Sequence, residues 1–157
     1  MLPTADEASE YADRGSSIHA YLATVGTLGV ATALATNVPV KWRSTCEAID
    51  LDELPQVDPT AYAHEAAFAY NLTTGGAREL HRGGNRDYSM VDHEHETAMA
   101  IDVIGLTAVA GGGVVIDWKT GYTPVARPRL NRQLQIGALA LARTFGLDYV
   151  KVAIGYL

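Results

Sequence analysis

A chain of 157 residues, 48% hydrophobic and 19% charged, suits one globular domain with a buried core and excludes a disordered polymer. Three classes of structure are not expected: a membrane span, which needs roughly 20 apolar residues in a row; a cleaved secretory leader, since no basic stretch opens the chain; and a disulfide or four-cysteine iron–sulfur framework, since Cys46 is the only cysteine. The net charge of −6 argues against nucleic acid as partner, but residues 1–60 hold nine acidic and three basic side chains, whereas residues 61–157 hold nine of each.

Taken in chain order, Ile18, Tyr21, Leu22 and Val25 recur at helical spacing behind Gly15-Ser16-Ser17, which predicts a helix over 16–24 capped by one of the serines. A second helix is expected over 26–35, ending before Pro39, and short helix plus loop over 40–60. Strands are expected over 62–72, 97–109 and 114–118, with turns at Thr73–Gly76 and at Gly111-Gly112-Gly113 and an exposed polar loop over 81–95. Leu130, Leu134, Ala138, Leu141 and Phe145 predict an amphipathic helix stopped by Gly146, and residues 148–157 a closing strand. The order is that of one α/β domain: helices in 1–60, then a mixed central sheet flanked by helices in 61–157, whose last strand joins through a crossover. That last strand is apolar, so its open edge implies a homo-oligomer, a partner domain or further elements of the fold beyond it.

The sharpest chemical signal is Val114-Val115-Ile116-Asp117-Trp118-Lys119-Thr120-Gly121. Asp117 and Lys119 are two apart and share a strand face. Alone they could be a strand-end ion pair. A hairpin turning at the triple glycine, however, brings Asp102 of the preceding apolar strand beside Asp117. Two carboxylates on adjacent strands repel unless a cation or proton lies between them. Hard oxygen ligands suit Mg²⁺ or Mn²⁺, and Lys119 could stabilise charge on a reacting phosphate.

These segments resemble the PD-(D/E)XK nuclease superfamily, and within it the RecB-like, phage-type exonuclease domains. Arg14-Gly15-Ser16-Ser17-Ile18-His19 is similar to the RGTxxH element, Glu96–Asp102 to the GxxD strand, Asp117-Trp118-Lys119-Thr120-Gly121 to DxKTG, and Gln133-Leu134 to QLxxY. The resemblance spans most of the chain, with departures at Ser17, at the missing glycine before Asp102, and at Gly137, where the family has tyrosine. It implies a restriction-endonuclease-like core. It also implies metal ligands at His19, Asp102, Asp117 and the Trp118 carbonyl, a catalytic Lys119, and Gln133 orienting the lysine or the DNA. One or two divalent metal ions would serve the hydrolysis of DNA phosphodiesters in recombination, repair or phage DNA processing.

Other candidates stand beside these. Glu65, at the opening of the first strand, is an outer-shell acid or an exposed strand-end glutamate. Arg127, Arg129 and Arg132 could grip DNA phosphates or form a solvated helix entrance. His93-Glu94-His95 could chelate zinc in a hydrolase, although a polar loop accounts for it as well. A non-catalytic DNA-binding or structural domain keeping the same fold is the main rival. A single cysteine and no leader fit a reducing, cytoplasmic setting.

Overall fold

The structure, a computed structural model, describes residues 5–53, 62–83, 87–107, 110–120 and 127–157, without the side chains of residues 5–8, Glu53 and Tyr62. The chain divides into two compact units, Met1–Leu54 with Trp118–Thr123 and Tyr156–Leu157, and Pro55–Asp117 with Pro124–Gly155.

In the first unit, α1 runs over Ala5–Leu28, starting well before the expected residue 16. Ser17 does not cap it. Its Oγ donates to the Asp13 carbonyl one turn back, at 2.8 Å, so the hydroxyl is satisfied inside the helix and is buried there. The apolar stripe behaves as its spacing predicts, with Ile18, Tyr21 and Leu22 buried. Gly29, at φ 75°, separates α1 from α2 (Val30–Asn37), a conformation that costs glycine little. A 3₁₀ turn at Val40–Trp42, α3 (Arg43–Glu47) and a second turn at Leu51–Glu53 follow. Cys46 is a free, buried thiol whose pKa burial pushes up. Among the described residues no helix is long and apolar enough to cross a membrane.

The second unit is built on a five-stranded sheet of order β2-β1-β3-β4-β5, which makes the chain an α/β protein. The strands are β1 (Tyr62–Asn71), β2 (Ala77–His81), β3 (Glu96–Leu106), β4 (Gly112–Lys119) and β5 (Tyr149–Tyr156). β2 is absent from the sequence-based expectation because Arg78, Glu79 and His81 mask any apolar alternation. As an edge strand it can carry them. Asn71 builds its turn, its Oδ1 accepting from the Thr73 and Thr74 amides at 3.0 and 2.8 Å. The β3–β4 hairpin turns at Gly111, φ 77°, and pairs Leu106 with Gly113 and Val103 with Ile116. The pairs β1–β2, β1–β3 and β3–β4 are antiparallel. At β5 the direction changes. The Gly111 carbonyl accepts from the Tyr149 amide and the Lys119 carbonyl from the Leu157 amide. Both bonds join positions of equal offset, so β5 runs parallel to β4 and the sheet is mixed.

α4 (Arg132–Phe145) is the crossover between β4 and β5. Asn131 caps it by accepting from the Leu134 amide at 3.2 Å, and Gly146, φ 64°, ends it in the left-handed region. Its buried face, Leu134, Ala140 and Leu141, packs on Ala66, Phe68, Met99, Ile101, Ile104 and Val115. Leu130 and Phe145, which the periodicity places on that stripe, are instead 62% and 37% exposed. Leu130 precedes the helix in a 3₁₀ turn and Phe145 lies at its end.

Gly137 packs directly against Ile101 of β3. A Cβ there would stand 2.9 Å from Ile101 Cδ1 and 3.3 Å from its Cγ1. The tyrosine found in the resembling family therefore has no room at this position. Gly137→Tyr should lower the melting temperature by roughly 5–10 °C, as expected for an overpacked core, and Ile101→Ala in the same chain should recover part of the loss. A melting curve unchanged by Gly137→Tyr would show that the helix can move aside.

Candidate functional site

The sheet unit gathers acids where β1 and β3 are distorted together. His64 pairs with Val103 and Ala66 with Ile101, so the residues between them, Glu65 and Asp102, stand opposite each other. Glu65 has φ 47° and is the one non-glycine residue with positive φ among those described. The side chains facing α4 are Ala63, Ala66, Phe68 and Tyr70 on β1 and Met99, Ile101 and Ile104 on β3. Each series contains one step of three residues where a regular strand steps by two, and the step falls at Glu65 and at Asp102. Both strands thus change face at the acids. Glu65 lies inside β1, not at its opening, and its backbone conformation costs on the order of 1–3 kcal/mol, the kind of strain found at functional sites. Next to it, burial pushes the His64 pKa below the usual imidazole value, opposed by the charges of Glu65 and Asp102 and a hydrogen bond to the Asp102 backbone.

β4 adds the third acid. Val103–Ile116 is a paired position, and Asp102 and Asp117 are the next residues on either strand. Asp117 is only 4% exposed and Trp118 is also buried, whereas Lys119 at the strand end is half-buried. A carboxylate is kept at such depth only with compensating charge or hydrogen bonds.

In the helical unit, two segments distant in sequence meet. The Arg14 guanidinium donates to the Thr120 carbonyl at 2.8 Å, and a Cβ on Gly15 would lie 2.7 Å from Thr120 Oγ1. Glycine is thus what lets α1 approach the segment that follows Lys119. His19 is one helical turn beyond Gly15 on the same face and is half-buried.

Among the described residues of the sheet unit, Glu65 and Asp102 have the donors and spacing for a metal ion, a carboxylate oxygen of each lying within 4.8 Å of the other. Two such carboxylates fit a divalent cation that prefers hard oxygen, as Mg²⁺ and Mn²⁺ do. The sequence singles out Asp102 but leaves Glu65 peripheral, because a glutamate amid Tyr-Ala-His-Glu-Ala-Ala carries no periodic signal of inward placement. His93 and His95 belong to no such group: His95 Nδ1 is 2.9 Å from Asp92 Oδ2.

Asp102 also opens on a cleft of about 530 Å³. Gln133, on the first turn of α4, lines the same cleft, and its Nε2 donates to the Ala100 carbonyl at 3.4 Å. Arg127, Arg129 and Arg132 are exposed around the entrance to α4. The cleft is also lined by Tyr88 and His93 of the loop before β3, where the sequence singles out His93 only as a possible zinc ligand and Tyr88 not at all. No family model, curated protein or solved structure matches this chain.

Two outcomes test the site. Saturating Mn²⁺ should raise the melting temperature by roughly 5–10 °C, the shift expected when about 100 Kd of a ligand binds only the folded state. Glu65→Gln and Asp102→Asn should each remove most of that shift, and an undiminished shift in both would dissolve the metal group.

The loop before β3 is tied by carboxylates. Asp87 accepts from the Ser89 amide, and Asp92 from His95 and from the Glu94 amide, which holds both acids below the ordinary 3.8. Because the folded values are depressed, these ties are present above the unfolded pKa and are lost as pH falls through the folded values. The Ser89 and Glu94 amide resonances should titrate with midpoints below 3.8. Midpoints at or above that value would contradict the hydrogen bonding.

Proposed function

We propose that this chain is a metal-dependent deoxyribonuclease with a restriction-endonuclease-like core of the PD-(D/E)XK type, hydrolysing DNA phosphodiester bonds as a RecB-like exonuclease. The observation that supports it most is the pairing of Glu65 with Asp102 at a strained point of the sheet, one register step from Asp117. A structural domain has little reason to hold opposed carboxylates in a distorted pair of strands.

In this reading His19, Glu65 and Asp102 hold the cation, with Asp117 and the Trp118 carbonyl adding oxygen donors. When bound, Mg²⁺ or Mn²⁺ supplies Lewis-acid polarisation of the phosphate and a lowered pKa for the attacking water. Lys119 places a positive charge where negative charge grows on the phosphoryl oxygens. Gln133, on the wall shared with Asp102, orients the DNA strand through its amide. Arg127, Arg129 and Arg132 hold backbone phosphates outside the chemistry.

The deciding experiment is digestion of end-labelled linear and circular DNA with Mg²⁺, Mn²⁺ or EDTA. Metal-dependent loss of the linear substrate, with circles spared, is expected. Asp117→Ala and Lys119→Ala should each reduce cleavage at least a hundredfold while leaving the circular dichroism spectrum unchanged. Cleavage that persists in both variants, with contaminating nucleases excluded, would refute the reading. Replacing the three arginines together by alanine should weaken DNA binding and flatten its dependence on salt, because fewer counterions are released.

A further inference from the structure

The cleft beside Asp102 has two chemically different ends. β3 lines the cleft from Glu96 to Asp102, so Asp102 and Gln133, whose Nε2 donates to the Ala100 carbonyl, stand toward one end. Tyr88 and His93 come from the loop that leads into Glu96 and line it toward the start of the strand, with small or apolar residues of β3, among them Ala98 and Met99, between. The volume, about 530 Å³, lies in the ~300–1,000 Å³ range of sites that hold one small organic molecule. A space of that size suits one nucleotide better than a base pair with its two backbones.

The aromatic end is built. The Tyr88 ring lies 6.4 Å from the His81 ring at a tilt of 44°, and the Tyr88 carbonyl accepts from the Val91 amide at 3.0 Å. Arg78 ties the loop to β2 by donating to the Met90 carbonyl at 2.6 Å and to Glu96 at 2.9 Å. That pairing offsets the one carboxylate, Glu96, that lines the cleft away from Asp102, so a ligand bearing phosphate is not repelled from the aromatic end.

We infer that this cleft seats one unpaired nucleotide of a single-stranded DNA end, its base against Tyr88 and His93 and its phosphate toward Asp102 and Gln133. The inference rests on the nuclease reading for the direction of the phosphate. A base reaches an aromatic seat only when it is free of its partner strand, and stacking on an aromatic side chain is tolerant of sequence. The substrate class that follows is a single strand or a frayed end, with blunt duplex disfavoured.

Binding of the whole chain to a short fluorescein-labelled single strand and to the matching blunt duplex, followed by anisotropy in EDTA and in Ca²⁺, tests this. The wild type should bind the single strand more tightly than the duplex. Tyr88→Ala should weaken single-strand binding about tenfold or more with little change for the duplex, and Tyr88→Phe should restore it, which separates loss of the ring from loss of the fold. Equal single-strand affinity in wild type and Tyr88→Ala, a wild type that prefers duplex, or one that binds neither, overturns the nucleotide seat. Parallel digestion with Mn²⁺ keeps the two failures apart. A wild type that binds single strands through Tyr88 yet cuts nothing sinks the nuclease reading and keeps the seat, whereas one that cuts normally with Tyr88 dispensable for binding does the reverse.

Discussion

Carboxylates that face one another across paired strands repel. Glu65 and Asp102 stand opposite each other, and Asp117 follows one register step away on the next strand. The neighbouring backbone is arranged around that conflict. β1 takes a left-handed conformation at Glu65, and both strands exchange the face they present to α4 at the acids. A cation bound between the acids would turn the repulsion into attraction.

Much of this was legible in the sequence wherever periodicity and punctuation agree. The triple glycine announces a hairpin, and a hairpin at that point aligns Asp102 with Asp117 without further information. α4 is equally plain, with Asn131 before it, Gly146 after it and Leu134 and Leu141 on its buried stripe. The closing strand follows from its Val/Ile/Tyr content, and its place at the sheet edge from its position after the crossover helix.

What was not legible depends on tertiary context. The serines at 16 and 17 look like a cap because local chemistry favours it, yet α1 runs through them and Ser17 bonds backward inside the helix. β2 hides because an edge strand needs no apolar alternation. Glu65 hides because its inward placement comes from a backbone twist that no residue pattern encodes. The cleft end at Tyr88 and His93 is formed by a loop whose shape comes from Arg78, Asp87 and Asp92 side chains reaching backbone groups, and composition alone reads such a loop as polar surface.

Gly111 has a role beyond its turn. Its carbonyl accepts from the amides of both Asp148 and Tyr149, so the start of β5 is anchored on the tip of the β3–β4 hairpin. Forming that anchor closes a long loop, which is slow because its entropy must be lost before any contact rewards it. The hairpin is local and α4 is local, so both can form early while the outer edge of β4 waits. During synthesis on the ribosome that edge, with Val114, Val115 and Ile116 along it, stays open until residues 149–156 have emerged. The order in which its strands are made thus sets how long that edge waits for its partner.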